Sequence, residues 1–228
     1  SSVSTAGSIA CLCTDRSGSW LLGASYPDSL IVIHPIDSAS GIAGDATQVI
    51  GGVVKAHSVV LDASGRHCYV AALGEDRIRS FRFDPRDGQI SAANPAHAEM
   101  TANSGPRHLA IHPTGRNLYC LNETDGTIDV LAIDGPTGRL APVHRVRASP
   151  VDATRVGNVR AADLAITRCG RYLYASERTC STIAGFSVDE QNGRLTSLGS
   201  IPTERSPRGI RTTADSNFLL VAGALSGN

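Results

Sequence analysis

Asp62-Ala63-Ser64-Gly65-Arg66-His67-Cys68-Tyr69 is the stretch that decides the fold, because the chain repeats it. The pattern stands as Asp15-Arg16-Ser17-Gly18-Ser19-Trp20-Leu21, as His112-Pro113-Thr114-Gly115-Arg116-Asn117-Leu118-Tyr119 and as Thr167-Arg168-Cys169-Gly170-Arg171-Tyr172-Leu173-Tyr174. A degenerate copy, Ala214-Asp215-Ser216-Asn217-Phe218-Leu219-Leu220, puts Ser216 in the glycine's place. Successive turn positions lie 47, 50, 55 and 46 residues apart. A period in that range, built on short strands, is expected of a β-propeller with one blade per repeat. Such a fold gathers equivalent positions of all blades around one axis.

Outward from each turn the plan is constant. An apolar strand enters it (Ser58-Val59-Val60-Leu61, Leu109-Ala110-Ile111, Leu164-Ala165-Ile166) and a second leaves it (Cys68 to Ala71, Leu118 to Leu121, Leu173 to Ala175). A third strand alternates in polarity: Arg77 to Phe83, Thr127 to Ile133, Thr182 to Val188. Period-2 alternation bounded by Gly, Asp and Pro marks half-buried antiparallel strands. A turn rich in Asp and Gly then leads to a short fourth strand. No stretch has helical periodicity, so the expected class is all-β, with four-stranded antiparallel blades.

The expected blades span residues 8–54, 55–104, 105–160 and 161–206, with an incomplete one at 207–228. Residues 1–7 read as the tail of an earlier blade. Open sheet edges invite aggregation, so the expectation is one partial propeller domain, about four to five blades cut from a longer chain.

Composition narrows the partners. The chain of 228 residues carries 21 basic and 21 acidic side chains, which gives no reason to expect a nucleic-acid or membrane partner. No apolar run is long enough to span a bilayer as a helix. Six cysteines (Cys11, Cys13, Cys68, Cys120, Cys169, Cys180) follow no zinc spacing and read as buried free thiols in a reducing cytoplasm. Oligomeric state has no signature here.

Positions that serve the fold look alike in every repeat, whereas positions that serve a ligand differ. Eight residues before each turn position stand Ala10, His57, Arg107, Ala162 and Arg208, and eight after it Tyr26, Leu73, Glu123, Arg178 and Ala224. Antiparallel strands of equal length return to their starting level, so both sets are expected at one end of the first hairpin. That end carries His57, Arg107, Glu123, Arg178 and Arg208, with His108 and Asp163 one residue along. A single charge at a strand end is usually just solvated; five polar residues at equivalent stations form a candidate site.

The chemistry of that set suits an anion. Guanidinium forks bind carboxylate or phosphate and stay charged at any working pH. His57 or Glu123 would carry a proton, and the choice between them stays open. No His, Asp or Glu trio has metal spacing, so no cofactor and no metal is expected. Ser58 lacks the G-x-S-x-G elbow of a serine nucleophile, and no phosphate-binding glycine loop is present.

These residues sit in motifs that resemble the bacterial lactonase propellers. The motifs are Ala56-His57-Ser58, Gly105-Pro106-Arg107-His108-Leu109, Leu121-Asn122-Glu123, Ala161-Ala162-Asp163, Tyr174-Ala175-Ser176-Glu177-Arg178-Thr179 and Ser206-Pro207-Arg208-Gly209. The likeness runs from about Cys13 over almost the whole chain. It implies a seven-bladed propeller in the intact protein, with roughly two blades before Ser1 and part of one after Asn228. A related fungal enzyme that lactonises carboxymuconate has a proposed site of one His, two Arg and one Glu. That resemblance implies catalytic roles for His57, Arg107, Arg178 and Glu123, leaving Arg208, His108 and Asp163 to bind substrate. The chain departs from the family pattern at Ala165 and near Cys11, where the family usually has His.

The resemblance implies metal-independent hydrolysis of 6-phosphoglucono-1,5-lactone in the cytoplasm, within the pentose phosphate pathway. The same cradle would suit a cycloisomerase closing a muconate-type polycarboxylate to a lactone. A non-catalytic binding propeller is the third reading, and it would need exposed aromatic hot spots on a rim.

Overall fold

The computed structural model describes residues 7–149 and 159–226. Its strands form four four-stranded antiparallel sheets and one two-stranded sheet. The first sheet holds β1 (Ile9–Thr14), β2 (Trp20–Ser25), β3 (Leu30–Pro35) and β4 (Gln48–Gly51). The second holds β5 (Ala56–Leu61), β6 (His67–Ala72), β7 (Arg77–Asp84) and β8 (Gln89–Glu99). The third holds β9 (Pro106–Ile111), β10 (Asn117–Asn122), β11 (Thr127–Ile133) and β12 (Leu140–Arg147). The fourth holds β13 (Ala161–Ile166), β14 (Tyr172–Glu177), β15 (Thr182–Val188) and β16 (Leu195–Pro202). β17 (Pro207–Thr212) and β18 (Leu219–Gly223) form the pair. Each four-stranded sheet is a meander in chain order, which is the blade expected from the repeat. The helical content among the described residues is one 3₁₀ turn, Leu73–Glu75.

Two compact units make up the chain, Ser1–Met100 with Pro136–Arg139 and Thr101–Gly135 with Leu140–Asn228. The first unit has its own apolar core, including Leu22, Ile31, Ile33, Val59 and Val70; the second buries Tyr119, Leu121, Ile128, Leu173 and Phe186.

The repeated octapeptide is one hairpin turn built five times. The N–H groups of Asp15, Asp62, His112, Thr167 and Thr213 donate to the carbonyls of Trp20, His67, Asn117, Tyr172 and Phe218, each at 2.9 Å. Gly18, Gly65, Gly115 and Gly170 have φ of 74°, 66°, 75° and 76°, and Ser216 follows them at 59°. Left-handed backbone costs a residue with a Cβ roughly 1–2 kcal/mol, which is why glycine recurs there.

A second recurring contact lies within each unit. The Tyr69 hydroxyl donates to the Gly138 carbonyl at 2.8 Å, and the Tyr119 hydroxyl to the Gly193 carbonyl at 3.1 Å. Gly138 and Gly193 close the turns between third and fourth strands. A Cβ on either would overlap His67 or Asn117 respectively, the residue two past a hairpin glycine. Both tyrosines are fully buried, so these bonds satisfy hydroxyls that water does not reach.

Candidate functional site

The stations eight before each turn share a backbone feature that sequence spacing does not disclose. Every innermost strand carries a β-bulge there. Pairing skips Ala10 between Ile9 and Cys11, His57 between Ala56 and Ser58, Arg107 between Pro106 and His108, and Arg208 between Pro207 and Gly209. In β13 the irregularity spans Ala162 and Asp163. A bulged residue leaves the ladder and its side chain is re-aimed, a device that recurs beside active sites.

The extra residue shifts the expected pairing. The N–H groups of Leu73, Glu123, Arg178 and Ala224 donate to the carbonyls of Lys55, Gly105, Arg160 and Ser206, two residues before each bulge station. The two sets of stations therefore share one end of each hairpin, with the plus-eight residues pinned by the same bond in four sheets.

In the second unit these stations converge on one carboxylate. Glu123 Oε1 lies 2.7 Å from Arg178 Nη2, and Glu123 Oε2 lies 2.8 Å from Arg107 Nε. The Arg178 contact is an aligned hydrogen bond, whereas the Arg107 Nε contact is a close charge pair without hydrogen-bond alignment. Arg107 Nη1 instead donates to the Ala162 carbonyl, and Arg178 Nε donates to the Arg160 carbonyl at 3.0 Å. Arg107 is 2% exposed. Burial pushes its pKa down to about 10, aided by the positive charges of Arg178 and Arg208 and opposed by Glu123 and Asp163. It stays charged at neutral pH, and two guanidinium groups, those of Arg107 and Arg178, share the Glu123 carboxylate.

His108 and Asp163 pair with each other: Nδ1 lies 2.6 Å from Oδ1. Asp163 Oδ2 also accepts from the Ile210 N–H at 2.9 Å and from Arg211 at 3.2 Å. Burial raises the Asp163 pKa, but His108, the Ile210 N–H and Arg211 outweigh it and hold the carboxyl below its ordinary range. Arg208 is exposed on β17.

His57 belongs to the first unit and is buried. Its ring meets Tyr26 edge-on, with centroids 5.7 Å apart. Tyr26 stands at the plus-eight station of the first repeat, and Lys55 Nζ lies 5.9 Å from its ring centre. Sequence reasoning put Tyr26 at the right station but left it out of the candidate set, because a phenol carries no charge to single it out. It also missed Arg211 and Glu177. Buried Glu177 accepts from the Arg160 and Cys180 N–H groups at 2.8 and 2.6 Å and braces the backbone around Arg178. Only its place beside Arg178 hinted at that.

Among the described residues no group of three or more His, Cys, Asp or Glu is placed to hold a metal ion, and no helix is long and apolar enough to cross a membrane. Of the six thiols, Cys68 and Cys120 are buried, Cys11, Cys13 and Cys180 are half-buried, and Cys169 is exposed. The expectation of buried thiols therefore holds in full at Cys68 and Cys120 alone, and fails outright at Cys169, which sits in the solvent-facing hairpin turn itself.

An antiparallel-bladed fold with arginines at bulges of its innermost strands defines a class, and comparison with known proteins gives it a family. The family model described as Lactonase, 7-bladed beta-propeller, matches residues 1–228, and the chain belongs to that family. It is 38% identical over 222 residues to a 6-phosphogluconolactonase of Pectobacterium carotovorum subsp. carotovorum (strain PC1), covering 96% of this chain and 65% of that relative. It is 36% identical over 220 residues to a 6-phosphogluconolactonase of Klebsiella pneumoniae (strain 342), with the same coverage of both. Among solved structures, the periplasmic gluconolactonase of Pseudomonas aeruginosa superposes with a TM-score of 0.90 at 26% identity, over 98% of this chain and 66% of that one. The chain thus spans just under two thirds of the curated relatives it matches.

Proposed function

We propose that the protein is a lactonase that hydrolyses 6-phosphoglucono-1,5-lactone to 6-phosphogluconate, without a metal, in the cytoplasm. The observation that carries this reading is the Arg107–Glu123–Arg178 cluster, a cationic group held by a carboxylate in a chain whose relatives are 6-phosphogluconolactonases. Six free thiols support a reducing compartment.

In the proposed mechanism water attacks the lactone carbonyl carbon and gives its proton to a general base. A guanidinium group stabilises the tetrahedral oxyanion, a role worth roughly 10²–10³ in rate per donor when preorganised. Collapse breaks the bond to the ring oxygen, which takes the proton back from that base and leaves a carboxylic acid that ionises. Of the two expected bases Glu123 is the less suited, because both its oxygens already face guanidinium groups. The other arginines, Arg208 included, hold the phosphate.

The test is hydrolysis of freshly generated lactone by the full-length protein with EDTA present, coupled to 6-phosphogluconate dehydrogenase. Activity that survives chelation and collapses in His57→Ala and Arg107→Ala is expected. No acceleration over spontaneous hydrolysis, with turnover of a muconate-type polycarboxylate instead, would replace the hydrolase by a cycloisomerase.

A further inference from the structure

We propose that His108 and Asp163 are positioning residues, which act on the substrate through Arg107 rather than by touching it. The proposal rests on the hydrolase reading above.

β9 and β13 pack against each other, and two successive cross-strand contacts join them. Arg107 donates to the Ala162 carbonyl, and one residue along His108 pairs with Asp163 at 2.6 Å. The two contacts share their backbone, so the His108–Asp163 rung sets where Arg107 can point. Asp163 is fixed in turn from β17, by the Ile210 N–H and Arg211. One carboxylate therefore ties three innermost strands together beside a bulge that has lost its own ladder pairing.

The first unit supplies an internal control. At the same station in β1 and β5, Cys11 Sγ and Ser58 Oγ stand 3.8 Å apart, a weak contact next to the small Ala10 and the His57 imidazole. The His108–Asp163 rung occurs where a guanidinium has to be held in a buried place. Long side chains lose considerable rotamer freedom when they are fixed, and an unanchored bulge leaves Arg107 several directions to choose from. Asp163 also adds negative charge that favours the ionised Arg107 against its burial.

The experiment is a double-mutant cycle on the full-length protein, read in kcat, KM and the calorimetric affinity for 6-phosphogluconate. His108→Ala is expected to lower kcat/KM by about a hundredfold, the scale of a misplaced catalytic group. Combining it with Arg107→Ala should cost no more than Arg107→Ala alone, within about twofold. His108→Gln, whose amide still donates to Asp163, should keep most of the activity. Losses that multiply in the double variant would overturn the proposal and make His108 an independent substrate contact. A lowered Tm with unchanged kcat/KM would overturn it in favour of a purely structural staple. If His108→Ala does not fold, the cycle is run with Asp163→Asn. If the wild type hydrolyses no lactone, coupling in anion affinity alone keeps the positioning role while the hydrolase reading falls.

Discussion

Glu123 and Arg178 meet at 2.7 Å although 55 residues separate them, and each occupies the same station of its own sheet, eight residues past the hairpin turn. Equivalent stations of neighbouring blades become side-chain neighbours. Arg107, at the bulge eight residues before its own turn, closes the group from the other side of Glu123.

Removing the shared carboxylate should therefore hurt twice. Glu123→Ala leaves buried Arg107 without its counter-ion and is expected to destabilise the protein by about 2–4 kcal/mol, toward the lower end for a pair that water partly reaches. Urea unfolding measures this, and lactone turnover should fall by at least roughly a hundredfold in the same variant. Glu123→Gln, which keeps the shape without the charge, should recover part of the stability and little of the activity.

Glycine positions divide by what a side chain would meet. Gly65→Ala adds a Cβ with nothing within 4 Å, so its cost is the left-handed backbone alone, about 1–2 kcal/mol. Gly138→Ala pays the same backbone penalty and also drives a methyl into the His67 ring, so about 3 kcal/mol or more is expected. Thermal melts of the two variants should rank in that order; equal losses would show that the His67 ring yields freely.

Acid stability should depend on Asp62. Burial disfavours its charge, but hydrogen bonds from the His67 ring and N–H, the Ser64 hydroxyl and the Arg66 N–H outweigh that and hold its carboxyl below the ordinary range. A carboxyl with a folded pKa below its unfolded value stabilises fully above about pH 4, and that contribution is lost as pH falls through the folded value. Asp163, held low as well, acts in the same direction. Urea midpoints of the wild type should drop as the pH falls below about 4, and Asp62→Asn should flatten that drop.

The thiols should react in a set order. The Thr167 hydroxyl, the Arg171 N–H and the Arg171 guanidinium bring the exposed Cys169 thiol down to about 7. Burial pushes Cys68 and Cys120 far up. Iodoacetamide at neutral pH should modify Cys169 first, as read by peptide mass, with Cys68 and Cys120 labelled only after unfolding.

The sequence by itself determined the repeating unit. Turn chemistry at Gly18, Gly65, Gly115 and Gly170 is local, and even the substitution at Ser216 keeps the left-handed geometry. Strand alternation is local as well, so the blades were legible. The stations at His57, Arg107, Glu123, Arg178 and Arg208 could be listed because the repeat supplies its own alignment. Only the tertiary structure decided what those stations do to one another. A bulge at His57 or Arg107 is a relation between two strands, which neither strand encodes in its own periodicity. The bond from Arg107 to the Ala162 carbonyl and the pairing of Asp163 with His108 each join residues 55 apart in the chain. Charge identity is written in the chain; the partner a charge finds, and how much water it keeps, is fixed when the sheets pack.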